Sequence, residues 1–226
     1  PLCNFAKARL FHDEVINIDL ERKFVICRNR PNVKFDLLSI DCGAIASQTS
    51  VFDAGQVIPV KPISEFNTQW EKAKRTFQDL SSPPIISIVG GGPAGIELAM
   101  SIKHRLSIDK VENKFPHTAV SIKILTSGPE ILSSYPRNAQ KRCRKILASA
   151  GIEVLTNWRV TEVKNKQLEN DTGERITVDE IIWATGSEAP GWLKTSGLPT
   201  SERGFIQINH QLRVIGTETE IGRAHV

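Results

Sequence analysis

An α/β fold built on a parallel sheet is what this sequence predicts, and three observations predict it. The apolar, β-branched run Ile85–Val89 stops on Gly90, Gly91 and Gly92, and past Gly95 it gives way to a helical pattern over Ile96–Leu106. Strand-like and helix-like segments then alternate: Ala119–Leu125, Asn138–Ala150, Ile152–Leu155 and, later, Glu180–Ala184. Between the last two lie three short segments, Trp158–Lys164, Gln167–Glu169 and Arg175–Val178, patterned as an antiparallel meander with a turn at Asp171-Thr172-Gly173. Strand, helix, strand, helix, strand, meander, strand is the order of a three-layer, Rossmann-like domain carrying a β insertion.

Taken in order, the chain opens with a hairpin. Val15–Ile18 and Phe24–Cys27 flank a polar turn at Glu21-Arg22-Lys23. Phe35–Cys42 reads as an apolar strand ending on Gly43, and a polar loop with Gly55 and Pro59 follows. Lys61-Pro62 then starts a long helix whose apolar residues Ile63, Phe66, Trp70, Ala73, Phe77 and Leu80 step by three and four. That stripe is a core-facing seam rather than an aromatic cofactor box. Ser81-Ser82-Pro83-Pro84 breaks the helix and is the best domain boundary in the sequence.

Gly90, Gly92 and Gly95 have the G-x-G-x-x-G spacing, with Pro93 and Ala94 completing the turn. The first glycine allows the turn, the second lets backbone approach a pyrophosphate, and the third lets helix and strand pack closely. The free N–H groups and the positive dipole end of the following helix receive the phosphate charge. Proline in the first helical turn loses no hydrogen bond. A plain glycine-rich turn is the alternative. The helix is expected to bury Leu98, Ala99, Ile102 and Leu106, with Ser107–His117 as a polar surface insertion. The next helix stops at Gly151, and Pro190 and Pro199 mark the exit from the last strand, before one more at Gly204–Ile208.

Composition bounds the function. With 226 residues the chain has room for one large domain or two small ones, and its 40% hydrophobic and 24% charged residues are those of a globular protein. No apolar stretch approaches the ~20 residues of a membrane span. The chain starts at Pro1 with no signal-peptide pattern, which reads as an internal cut. The net charge of +4 is mild. Its densest cluster, Arg137, Lys141, Arg142, Arg144 and Lys145, reads as a solvated helix face. No aromatic platform accompanies it to favour a nucleic-acid surface. The 4 cysteines hold no C-x-x-C pair, so neither a metal site nor a disulfide framework is expected. Cys27 and Cys42 are expected as buried free thiols in a reducing compartment.

Two stretches echo each other. Phe35–Gly43 (FDLLSIDCG) and Val178–Gly186 (VDEIIWATG) each run from an apolar residue through Asp and a strand core to a glycine. Coincidence between short strands is one reading. The other is that each closes its own dinucleotide-binding domain, one inserted in the other, with Leu37–Gly43 and the return segment Phe205–Ile208 sharing a sheet.

With the glycine turn, Ala184-Thr185-Gly186 and the echo in hand, the chain resembles the FAD/NAD(P)-binding pyridine nucleotide–disulfide oxidoreductase superfamily, in its type II NADH dehydrogenase-like branch. Phe35–Gly43, Val60–Ile63 and Gly204-Phe205-Ile206 are also similar to the oxidoreductase domain fused to selenide, water dikinase. The resemblance implies a Rossmann-like NAD(P)-binding domain inserted in a partial FAD-binding domain. Residues 1–82 would be the partial FAD domain with a connector helix, 83–186 the NAD(P)H domain, 187–220 the return, and 221–226 a non-native tail similar to a translated sequencing adapter.

The resemblance also implies the site and cofactors. Gly90, Gly91, Gly92, Pro93, Ala94 and Gly95 would face NAD(P)H, with Thr126, Ser127, Ala184, Thr185 and Gly186 beside it, and Cys42 and Gly43 would flank FAD. Glu97 would lie at the nicotinamide–flavin junction as the catalytic residue; an ordinary acid in the first helical turn, favoured by the dipole, is the alternative. A hydride would pass from NAD(P)H to flavin and on to a second, quinone-like or other, small-molecule acceptor. The acid that grips the ribose 2′-OH at the end of the second strand is missing at Thr126 and Ser127, so NADP is possible, with Ser127 and Arg137 as 2′-phosphate ligands.

The FAD-side glycine motif would lie upstream of Pro1 and the later Gly-Asp motif beyond Gly216. This polypeptide by itself is therefore expected to hold no stoichiometric FAD and to be inactive. The implied setting is cytoplasmic, with peripheral membrane attachment and a homodimer or fusion partner left open. A non-catalytic regulatory nucleotide-binding domain, within the dikinase fusion or apart from it, is the rival reading. A flavin-free dehydrogenase is disfavoured by the echo, and disulfide reduction by the lack of a cysteine pair.

Overall fold

The computed structural model describes residues 2–46, 55–112, 119–216 and 220–222. The chain forms two compact units: Pro1–Ile45 with Glu188–Val226, and Ala46–Ser187.

The smaller unit starts with a short helix, α1 (Leu2–Phe5), followed by β1 (Val15–Asp19), β2 (Phe24–Cys27) and β3 (Val33–Lys34) in one antiparallel sheet. The expected hairpin is present, and Lys23 takes φ 57 to close its turn. Arg28 pairs with Glu14 at 2.7 Å across the base of the hairpin. Of the strand expected over Phe35–Cys42, only β4 (Leu38–Ile40) forms a ladder. Cys42 lies beyond its end and is exposed, and Cys27 is half-buried, so neither is the buried thiol expected. The apolar pattern around Cys42 ends at Ile40, and nothing carries the strand further.

The chain crosses to the larger unit at β5 (Ile45–Ala46) and enters its sheet through β6 (Ile58–Pro59), a strand hidden in sequence by its shortness and by Pro59. The helix α2 (Ile63–Phe77) buries Phe66, Trp70, Ala73 and Phe77, with Trp70 and Phe77 in an edge-to-face contact at 6.1 Å. These residues share a core with Ile86, Ile88, Ile122 and Ile182. The break at Ser81–Pro84 is therefore no unit boundary. An apolar helical stripe must be covered, and the parallel sheet covers it; the boundary falls near residue 46.

The strand β7 (Ile85–Val89) is nearly all buried, as expected of a strand covered on both faces. The helix α3 (Pro93–Val111) continues past the expected stop at Leu106. Buried Asp109 explains part of the extension, since it pairs with Arg105 at 2.8 Å and lies 3.7 Å from Lys74 of α2. Ser107–Val111 is thus helix and not insertion, and residues 113–117 of that segment lie outside the described residues. Next come β8 (Ser121–Leu125), α4 (Arg137–Ser149) and β9 (Ile152–Leu155), with Gly151 at φ +67 after the helix. The meander is β10 (Val160–Lys164), β11 (Gln167–Asn170) and β12 (Arg175–Thr177), a separate antiparallel sheet. Finally β13 (Glu180–Trp183) joins the main sheet, whose order is β6-β13-β7-β8-β9, with the ladders of β6, β7, β8, β9 and β13 parallel.

Strand side chains alternate between two cores, which defines the layers. Ile88, Ile124 and Ile182 face the helices, while Val89, Leu125, Ile181 and Trp183 face Trp158, Val163 and Leu168 of the meander segment. Helices, parallel sheet and antiparallel meander make the three layers predicted.

The chain returns to the smaller unit through β14 (Ser187–Glu188) and α5 (Trp192–Thr195). There Leu193, Leu198 and Val214 pack with Ile18, Phe35 and Ile40. The strand expected over Gly204–Ile208 is reduced to single bridges, Thr200 to Ile206 and Ile208 to Val214. It shares no sheet with β4, which instead pairs in parallel with β15 (Glu220–Gly222). The expected shared sheet is wrong: tight local turns satisfy the backbone of 200–215, as in Ile215 N–H donating to the Gln207 carbonyl at 3.1 Å. The segment expected as a non-native tail thus supplies β15 at its start, and residues 223–226 lie outside the described residues.

Candidate functional site

Sheet order locates the site before any side chain does. From β7 the chain moves outward through β8 to β9, then returns to place β13 on the other side of β7. In an open parallel sheet, the crevice at the carboxyl ends of strands where the direction reverses is the ligand position. Here that point is the junction of Gly90 and Ala184, just past β7 and β13.

The glycines there divide into two kinds. Gly90 has φ +134, donates its N–H to the Leu125 carbonyl at 2.8 Å, and a Cβ on it would lie 2.7 Å from the Ala184 oxygen. A Cβ on Gly91 would lie 2.7 Å from Cβ of Thr126, and one on Gly95 only 2.0 Å from the Gly90 oxygen. These positions are glycine because neighbouring chain fills the space. Gly92 differs. Its φ is −81, ordinary for any residue, yet a Cβ there would meet nothing within 4 Å. Packing does not require glycine at this position, and an absent side chain leaves backbone open to an approaching ligand.

Gly92 is also the N-cap of α3, Pro93 follows at the first helical turn, and no side chain caps the helix. The first of its helical bonds runs from Ile96 N–H to the Gly92 carbonyl at 3.2 Å, so the Ala94 and Gly95 amides precede any intrahelical acceptor. Pro93 and Ala94 are exposed. The turn therefore combines unspent donors, the positive end of a long helix and no side chain in the way, which is the chemistry of a pyrophosphate cradle.

The segments expected beside the turn are there. Thr126 is half-buried under Gly91 and Ser127 is exposed. Ala184 donates its N–H to the Val89 carbonyl at 2.9 Å, Thr185 is half-buried, and Gly186 is exposed at φ +41. Glu97 is exposed in the second turn of α3, and the first turn holds no acid, so the dipole explanation for it does not apply. Cys42 and Gly43 belong to the other unit, where Gly43 takes φ +72. Each glycine of the sequence echo thus stands three residues past its strand with a positive φ.

Sequence reasoning missed the brace beneath the site. Leu132 N–H donates to the Gly91 carbonyl at 2.8 Å, Asn157 N–H to Gly128 at 2.8 Å, and Gln140 Nε2 to the Leu132 and Tyr135 carbonyls at 3.0 Å. Glu130 binds the Arg144 guanidinium at 2.5 Å and the Ile131 N–H at 2.9 Å. Arg144, first, holds the Glu130 carboxyl below its ordinary range. The signal was Ile131, an apolar residue in a polar loop, now fully buried. Among the described residues no cluster of three His, Cys, Asp or Glu side chains could hold a metal, and no helix is long and apolar enough to cross a membrane.

Residues 6–219 match the family model described as pyridine nucleotide-disulphide oxidoreductase. The chain is 30% identical over 213 residues to demethylphylloquinone reductase NdbB of Synechocystis, covering 90% of this chain and 50% of that protein. It is 26% identical over 214 residues to the mitochondrial external NADH-ubiquinone oxidoreductase 2 of Saccharomyces cerevisiae, covering 84% and 38%. The chain thus spans half or less of the length of these relatives. A solved structure of NDH2 from Plasmodium falciparum in complex with NADH aligns with TM-score 0.75 at 20% identity, covering 94% of this chain and 48% of the other, a likeness of fold.

Proposed function

We propose, since this chain belongs to the pyridine nucleotide–disulphide oxidoreductase family in its type II NADH dehydrogenase-like branch, that it is the nicotinamide-binding part of an NAD(P)H-dependent flavoprotein oxidoreductase. The observation that carries the proposal is Gly92, a glycine that packing does not require, at the reversal point of a parallel sheet. Gly92, Ala94 and Gly95 would donate backbone N–H groups to the pyrophosphate of the dinucleotide. Gly90 and Gly91 hold the turn against Ala184 and Thr126, so the donors are positioned before the ligand arrives. Thr185 and Gly186 would border the nicotinamide half.

A bound flavin would accept the hydride of NAD(P)H and release its electrons to a second acceptor. The names of the relatives above favour a quinone-like molecule as that acceptor. Glu97 is assigned to the nicotinamide end as the residue nearest the chemistry, and Cys42 and Gly43 to the flavin. The compact unit Ala46–Ser187, with β6 and α2 part of its sheet and core, is the proposed nicotinamide-binding unit.

The test is anaerobic titration of the FAD-loaded, full-length protein with NADH and NADPH, followed by addition of a soluble quinone. Bleaching of the flavin band, then its return with quinone, is the expected result. Nucleotide binding with no bleaching would replace this reading by a regulatory nucleotide-binding domain.

A further inference from the structure

We propose that the dinucleotide site selects NADPH over NADH, reading the ribose 2′-phosphate through the loop between β8 and α4. This rests on the nucleotide-binding reading above and adds the choice of ligand. In doubly wound folds the end of the second strand reaches the adenosine ribose. A carboxylate there accepts the 2′-OH, and the same carboxylate repels a 2′-phosphate.

Here β8 ends at Leu125, and the next two residues are Thr126 and Ser127. Thr126 lies against the glycine turn, its Cβ and Oγ1 2.7 and 2.8 Å from where a Cβ on Gly91 would be. It sits where a discriminating carboxylate would have to be, and it carries none.

Between Thr126 and Lys145 the sequence has a single acid, Glu130. Both its known contacts are donors, the Arg144 guanidinium and the Ile131 amide, and these hold it to the brace below the turn. The same stretch contains Arg137, Lys141, Arg142, Arg144 and Lys145, so five cations face one neutralised carboxylate. Arg137, Lys141 and Arg142 are exposed, and among the described residues none has an ion-pair partner. Ser127, Ser133 and Ser134 add exposed hydroxyls.

The loop is also held in place. Leu132 is bonded to the Gly91 carbonyl, and Gln140 of α4 to Leu132 and Tyr135, so the turn, the loop and the start of α4 form one hydrogen-bonded assembly. The start of α4, which carries Arg137 and Lys141, is therefore tied through the loop to the glycine turn. A phosphate with two charges gains from such a field, and a neutral hydroxyl gains little.

The experiment compares NADPH and NADH binding to the purified protein by calorimetry, in parallel with 2′,5′-ADP and 5′-AMP. NADPH is expected to bind at least about tenfold tighter than NADH, and 2′,5′-ADP tighter than 5′-AMP, with the preference shrinking as salt rises. In Arg137→Ala the NADPH-to-NADH affinity ratio falls about fivefold, and in Thr126→Glu it inverts. Ser127→Asp, at an exposed position, serves if Thr126→Glu fails to fold. NADH binding as tightly as NADPH, or an unchanged ratio in Arg137→Ala, overturns the proposal and leaves the nucleotide site standing. Binding of neither nucleotide overturns both.

Discussion

Gly92→Ala and Gly95→Ala add the same methyl group three residues apart, and the structure gives them opposite consequences. At Gly95 the new carbon would lie 2.0 Å from the Gly90 carbonyl oxygen and 3.1 Å from its carbon, and both are backbone atoms that cannot rotate away. The helix must shift from the strand, at the overpacking cost of about 1–3 kcal/mol. At roughly 2–4 °C per kcal/mol for a chain of this size, melting falls by about 2–12 °C. At Gly92 the methyl meets nothing within 4 Å, and φ −81 suits alanine. Melting should stay within about 2 °C, as for a surface change worth under ~0.5 kcal/mol. Only a ligand drawn onto the Gly92 backbone would feel that methyl. A clash of about 1–3 kcal/mol there weakens nucleotide binding by about 5- to 150-fold. The assay is differential scanning fluorimetry beside NAD(P)H titration of both variants. If Gly92→Ala binds nucleotide as the parent does, the cradle has been misread. If it melts like Gly95→Ala, the packing argument is wrong.

Three further outcomes are expected. Phe77→Ala removes a side chain 1% exposed that packs edge-on to Trp70, and should cost about 3–5 kcal/mol in the unfolding of the larger unit by urea; a loss below ~1 kcal/mol would detach α2 from that core. Asp179→Ala removes the carboxylate that accepts the Ile85 N–H at 2.7 Å and joins the starts of β13 and β7, at a cost of about 1–3 kcal/mol by the same method. Glu130 is held below its ordinary 4.5 by Arg144, so its contribution is complete above that value and is lost as pH falls through the lowered one. Melting temperature of the parent should therefore drop more steeply than that of Glu130→Gln between about pH 5 and pH 3, and parallel curves would contradict the pairing.

Much of the larger unit was legible because its signals are local. Ile85–Val89 is β-branched and uninterrupted, Gly151 stops α4, and the meander alternates with its own turn. What failed was long-range. The stripe Phe66–Phe77 was read correctly as buried, but sequence could not say against what, and the sheet of the larger unit claimed it from the proposed connector. β6 has two residues, one of them proline, too short for any periodic signal. In the smaller unit, Phe205–Ile208 has strand composition. Its backbone bonds go instead to turns within residues 199–215, and the partner of β4 comes from Glu220–Gly222. At the site the glycine spacing was plain, and with it a reason for Gly90, Gly92 and Gly95, but none for Gly91. Three are filled by neighbouring chain and one by nothing, a distinction that exists only once the fold brings Ala184 and Thr126 to the turn.

The central claim is that a nicotinamide dinucleotide lies on the backbone of the glycine turn at the reversal of the sheet. Amide hydrogen exchange of the protein with and without saturating NADPH measures this most directly. Slowed exchange is expected at Gly91–Gly95, around Thr126–Ser127 and at Ala184–Gly186 together. Nucleotide that binds while those three segments exchange at their free rates would contradict the account.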